Sequence, residues 1–106
     1  MGFQSPAQDY IEKGIDLNEL LIHRPSSTYI FEDGPMRYIC DASVKPNPGD
    51  TIAFRLYGES QIGRYFPKYI VTPEGETYEG EAMNDMEVIG TITFEVMQTW
   101  APDAPV

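Results

Sequence analysis

Nucleophilic catalysis needs a hydroxyl or thiol beside a tuned base, and few residues of this chain qualify by type. There is one histidine, His23, and one cysteine, Cys40. His23 stands in His23-Arg24-Pro25-Ser26-Ser27, where the proline pushes its predecessor out of the helical region, and so it reads as a surface or partly packed residue. Cys40 alternates with Tyr38 in Arg37-Tyr38-Ile39-Cys40-Asp41, the pattern of a small buried hydrophobe in a strand. Two serine–lysine combinations, Ser43 with Lys45 and Ser60 with Lys68, fall beside Pro- and Gly-rich turns and read as turn chemistry.

Metal and phosphate chemistry fare no better. The stretch Glu74-Gly75-Glu76-Thr77-Tyr78-Glu79-Gly80-Glu81 is rich in carboxylates but lacks the alternate ligands and closing glutamate of a calcium loop; it reads as a solvated, charged hairpin. A single histidine and a single cysteine cannot supply a clustered zinc site. Gly58 and Gly63 precede neither a Lys-Ser pair nor a helix, so no phosphate loop is expected. The residues therefore imply no metal and no cofactor.

Seventeen acidic residues against seven basic ones give a formal charge of −10, which repels a phosphate backbone and argues against direct nucleic-acid binding. At 106 residues, with 42% hydrophobic, the chain is the size of one packed domain. No apolar run reaches the roughly 18 residues of a membrane helix, and the first residues lack a signal-peptide pattern. A soluble, cytoplasmic protein is the expectation.

The elements that would position these residues follow from periodicity. Residues 1–15 are polar with few apolar anchors and read as a flexible arm. Asp16 can cap a short helix in which Leu17, Leu20 and Leu21 share a face. From Thr28 the period becomes two. The runs Thr28–Glu32, Arg37–Asp41, Thr51–Tyr57, Gln61–Tyr65, Lys68–Thr72 and Met86–Met97 alternate between Gly/Pro turns, which predicts a mainly β, small, curled antiparallel sheet with one short helix over 16–100. Residues 101–106 carry two prolines and read as a flexible tail.

Six stretches carry a resemblance, one of them Tyr38-Ile39-Cys40-Asp41-Ala42-Ser43, a strand ending in an aspartate. Gly2-Phe3-Gln4-Ser5-Pro6-Ala7-Gln8-Asp9-Tyr10-Ile11-Glu12, then Ile15-Asp16-Leu17-Asn18-Glu19-Leu20-Leu21-Ile22 and Pro25-Ser26-Ser27-Thr28-Tyr29, look like the start of the processed form in the UmuD/LexA family. Pro48-Gly49-Asp50-Thr51-Ile52-Ala53-Phe54 is similar to the family's Gly-Asp turn and following strand, and Met86-Glu87-Val88-Ile89-Gly90-Thr91-Ile92 to its last strand. The resemblance implies the LexA/UmuD C-terminal domain fold. It also implies a self-cleaving serine–lysine dyad, which this sequence lacks. The serine's turn reads Asp33-Gly34-Pro35-Met36, and the lysine's strand reads Ile62-Gly63-Arg64, so Pro35 and Gly63 stand in the regions of the lost pair. Arg64 cannot serve instead, because a guanidinium keeps its proton.

The resemblance therefore implies a pseudo-peptidase: an accessory protein of SOS translesion DNA synthesis that binds a UmuC-type polymerase as a homodimer, in the presence of RecA filaments. The alternative is a decoy that heterodimerises with an active UmuD- or LexA-type paralogue; an enzyme with a relocated dyad is a third reading. The family cuts itself before the glycine equivalent to Gly2, so the chain resembles the product of that cut. Phe3, Tyr10 and Ile11 are the anchors by which the arm would dock on a partner. In the last strand Ile89, Thr91, Thr93 and Glu95 alternate with Val88, Gly90, Ile92, Phe94 and Val96. The first row is assigned to the two-fold interface, with a second copy covering that strand's edge.

Overall fold

The structure, a computed structural model, describes residues 16–100. The expected arm at 1–15 and tail at 101–106 lie outside the described residues.

Helix α1, Leu17–Leu21, begins where expected: the Asp16 carboxylate accepts the Asn18 N–H at 2.9 Å, capping an otherwise orphaned donor. A 3₁₀ turn at Pro25–Ser27 leads into seven strands and a second short helix. These are β1 (Thr28–Asp33), β2 (Met36–Asp41), β3 (Thr51–Leu56), β4 (Glu59–Phe66), β5 (Tyr69–Val71), β6 (Thr77–Glu79), α2 (Glu81–Asp85) and β7 (Glu87–Met97). All seven strands join one sheet in the order β1-β2-β7-β3-β4-β5-β6, and every pair is antiparallel. The mainly β, antiparallel architecture matches that of the LexA/UmuD C-terminal domain type.

Local chemistry sets the hairpins. Asp33 pairs with Met36 across Gly34-Pro35, with Gly34 at φ +58°, the glycine-first two-residue turn whose twist suits flanking strands. Leu56 pairs with Glu59 across Tyr57-Gly58, where both central residues have positive φ.

Opposed residues of antiparallel strands share a face. One face of β3–β6 therefore gathers Ile52, Phe54, Leu56 and Ile70, all essentially without exposure, and Tyr65, Tyr78, Ala82, Met83 and Met86 pack against them. Helix α2 forms because Ala82 and Met83 cover this core while its acidic side meets water. It was not expected from the sequence, nor was β6. The stretch 74–81 is a hairpin arm with exposed carboxylates, as expected, but Tyr78 turns inward and its ring meets Phe54 edge-on, centroids 6.1 Å apart.

Strand β7 is the spine. Residues 87–91 pair with β3 and 91–97 with β2, so Thr91 is bonded on both sides and β7 is an interior strand. Bulges at Ile89 and Thr93 interrupt its alternation.

Candidate functional site

The turn between β1 and β2, Asp33-Gly34-Pro35-Met36, is fully tied down. Arg37 spans it: Nη1 donates to the carbonyls of Gly34 at 2.9 Å and Met36 at 3.2 Å, and Nε lies 3.3 Å from Glu32. From the other side the Gln98 N–H donates to the Pro35 carbonyl at 2.7 Å. A two-residue hairpin with these bonds has no slack to present a side chain, and it contains no hydroxyl.

Gly63 sits in the middle of β4, opposite Ile52 and beside the β5 strand. A Cβ on it would lie 2.7 Å from Ile70 Cγ2, 3.1 Å from Phe54 Cε1 and 3.1 Å from the Val71 carbonyl oxygen. Those distances are inside van der Waals contact, so core side chains already occupy the space a side chain at 63 would enter.

The two regions meet at a cleft between the β1–β2 hairpin and β4. One cavity of about 250 Å³ is lined by Phe31, Glu32, Asp33 and Tyr38 on the hairpin side and by Ser60, Gln61, Ile62, Pro73 and Glu74 on the facing side. A second, of about 310 Å³, shares Tyr38, Ile62 and Pro73 and extends past Gly63 and Arg64 to Glu95. Tyr38 is thus the hinge of the cleft. Burial first, and then the charges of Glu95, Asp33 and Glu74, raise its phenol pKa above the ordinary value, so it remains a neutral donor at physiological pH. Ser60 lines the cleft, but no lysine does.

Ser43, His23 and Cys40 each sit against a neighbour that accounts for them, and Ser60 lies far from Lys68. The Ser43 hydroxyl donates to Asp41 Oδ1 at 2.6 Å, so it faces a carboxylate and not Lys45. Ser60 lies near the start of β4 and Lys68 past its end, roughly 20 Å apart at the rise of an extended strand. His23 is exposed; its ring lies edge-on to Phe94 at 6.2 Å, and Nε2 is 3.2 Å from the Leu20 carbonyl. Cys40 is wholly buried where β2 meets β7, and burial, with Asp41 beside it, pushes its thiol pKa up to about 11. Among the described residues, no three His, Cys, Asp or Glu side chains converge as metal ligands, and no helix is long and apolar enough to cross a membrane.

In the sequence Asp41 has no role beyond ending its strand. It is 4% exposed and accepts from the Ser43 hydroxyl and backbone N–H and from the Ser27 hydroxyl, with Arg24 at 3.5 Å. The Ser43 bonds above all, with Ser27 and Arg24, hold its pKa down at about 2. This knot ties the 3₁₀ turn and the loop after β2 to the sheet. Only side-chain reach across residues 24–43 reveals it, which periodicity does not report.

The row Ile89, Thr91, Thr93 and Glu95, assigned to a two-fold interface, does not present one continuous exposed face. The bulges break the row: Ile89 is half-buried, Thr91 is 6% exposed with its hydroxyl donating to the Val44 carbonyl at 2.8 Å, and only Thr93 and Glu95 are exposed. The edge expected to need covering is largely filled by β2 and β3 of the same chain; only the stretch beyond Thr91 has β2 alone as neighbour. Phe3, Tyr10 and Ile11 lie outside the described residues.

Comparison with known proteins gives no matching family model. The chain is similar to Protein SamA of Salmonella typhimurium strain LT2, 27% identical over 116 residues, spanning 96% of this chain and 82% of SamA. It is similar to Protein ImpA of Escherichia coli, 26% identical over 92% of this chain and 78% of ImpA. Protein MucA of Escherichia coli is 26% identical over 74% of this chain and 70% of MucA. All three are UmuD-family proteins, which supports the resemblance read from the sequence.

Proposed function

We propose that this protein is a non-catalytic, UmuD-like accessory factor of SOS mutagenesis that acts by binding, as a homodimer, to a UmuC-type translesion polymerase in the presence of RecA filaments. The observation that carries the reading is the closure of position 63 by Ile70 and Phe54 in a chain similar to SamA and ImpA over more than nine-tenths of its length. The two-residue turn at Gly34-Pro35 supports it from the other half of the lost dyad.

On this reading the chain contributes a surface and no bond-breaking chemistry. A charge of −10 suits recruitment through protein contacts, with the polymerase supplying the basic surface that meets DNA. Phe3, Tyr10 and Ile11 are the proposed docking anchors for that partner, isolated apolar residues in a polar background.

Affinity capture of the tagged chain from DNA-damaged cells tests this. Recovery of a translesion polymerase with RecA, lost on deleting residues 2–14, supports it. Recovery of an intact UmuD- or LexA-type paralogue without polymerase identifies the decoy instead, and recovery of neither contradicts both.

A further inference from the structure

The two ends of the sheet are built differently. The β6 end is three residues long, and Glu76, Glu79 and Glu81 around it are exposed, so short length and charge protect it from pairing. The β1 end is six residues long and reads Thr-Tyr-Ile-Phe-Glu-Asp, with Tyr29 51% and Ile30 55% exposed. No strand lies outside it among the described residues. Such an edge is a ready template for another strand.

Hydrogen-bond phase narrows what can pair there. In a two-residue hairpin the closing pair, here Asp33 and Met36, exchanges both bonds, and alternation then turns the backbone groups of Glu32, Ile30 and Thr28 outward. The Thr28 N–H is taken by the Pro25 carbonyl, which leaves the Thr28 carbonyl and both groups of Ile30 and Glu32 available.

We infer that β1 of a second copy pairs antiparallel with this edge, its two-fold axis passing between the two Ile30 residues, and joins the sheets of the two chains into one. In that register Ile30 exchanges both backbone bonds with the partner's Ile30, and the Glu32 N–H meets the partner's Thr28 carbonyl. Tyr29 faces the partner's Phe31 as a close, non-hydrogen-bonded pair, and Glu32 faces Thr28, so no like charges oppose one another. Moving the axis to Phe31 sets Ile30 against the partner's Glu32, moving it to Glu32 sets carboxylate against carboxylate, and moving it to Tyr29 leaves Phe31 and Glu32 beyond the start of the partner's strand. The Ile30 register pairs the most of β1 without setting a carboxylate against Ile30 or against another carboxylate. This seam rests on the homodimer reading above and replaces the β7 row as its location.

The test combines sedimentation with cross-linking of the full chain. Ile30→Lys places a charge at an exposed edge position, so its circular dichroism and melting temperature should stay near those of the wild type while its sedimenting mass falls twofold. Tyr29→Cys and Phe31→Cys chains, mixed and treated with a copper–phenanthroline oxidant, should form a disulfide-linked pair. Either variant alone should not, because identical positions are offset by two residues, roughly 7 Å along the strands. A wild type that sediments as one chain at tens of micromolar overturns both the seam and the homodimer. A dimer that survives Ile30→Lys, or that is lost instead with Thr93→Lys on the one-sided stretch of β7, overturns the seam and leaves the homodimer standing.

Discussion

Ile70 and Gly63 interlock across β4 and β5: the Ile70 Cγ2 methyl stands 2.7 Å from where a Cβ on Gly63 would be. Both residues belong to the buried side of the sheet, and Ile70 has no exposure at all. The absence of a side chain at 63 is therefore part of the core's packing. It is not a surface gap that could take a lysine side chain without moving Ile70 or Phe54.

Two buried glycines should respond differently to an added methyl. At Gly63 the two closest atoms belong to side chains, Ile70 Cγ2 at 2.7 Å and Phe54 Cε1 at 3.1 Å, with one backbone atom, the Val71 carbonyl oxygen, at 3.1 Å; at Gly90 a Cβ would meet Cys40 Sγ at 2.7 Å, and the Ala42 Cα and Asp41 carbonyl oxygen at 2.8 Å, two of them backbone. Gly63→Ala should cost about 1 kcal/mol and Gly90→Ala about 3 kcal/mol, the low and high ends of overpacking. For a domain of this size each kcal/mol lowers the melting temperature by roughly 4–8 °C, so thermal melts will rank the two.

Asp41 should govern part of the acid sensitivity. Its folded pKa, about 2, lies below the unfolded carboxylate value near ~4, so as pH falls the unfolded chain takes up this proton first. The stabilisation is fully present above about pH 4 and is lost as pH drops towards 2. Asp41→Asn should lower the melting temperature at neutral pH and flatten its dependence over that interval. Melts from pH 6 to 2 on both chains measure it; parallel curves would remove Asp41 from the account.

Cys40 should be silent in the native protein. A thiol with no exposure and a pKa near 11 offers neither access nor thiolate at pH 8. A disulfide reagent such as dithionitrobenzoate should react with it only on the timescale of unfolding, and at once in denaturant. Rapid labelling of folded protein would show that the β2–β7 seam opens.

Much of the fold was legible because its signals are local. Asp16 before a leucine face, Gly-Pro and Tyr-Gly between alternating runs, and the long run to Met97 each announce their element within a few residues. What the sequence hid depends on neighbours far along the chain. The Glu74–Glu81 stretch looks wholly solvated until Tyr78, Ala82 and Met83 are placed over Phe54 and its core neighbours. The face assignments of Ile89, Thr91, Thr93 and Glu95 failed at two bulges, which shift register only in the presence of β2 and β3. The regions of Pro35 and Gly63 were found by resemblance. That core atoms fill the space at 63 follows only from the packing.

Incubation of the purified chain at alkaline pH, with a fluorophosphonate serine probe and with a separate UmuD-type substrate, tests the central claim most directly, because a serine–lysine dyad is most reactive with its lysine deprotonated. The account predicts no cleavage of either chain and no stoichiometric labelling at any pH. Stoichiometric labelling of Ser43 or Ser60 that disappears when Lys45 or Lys68 is changed to alanine would contradict it.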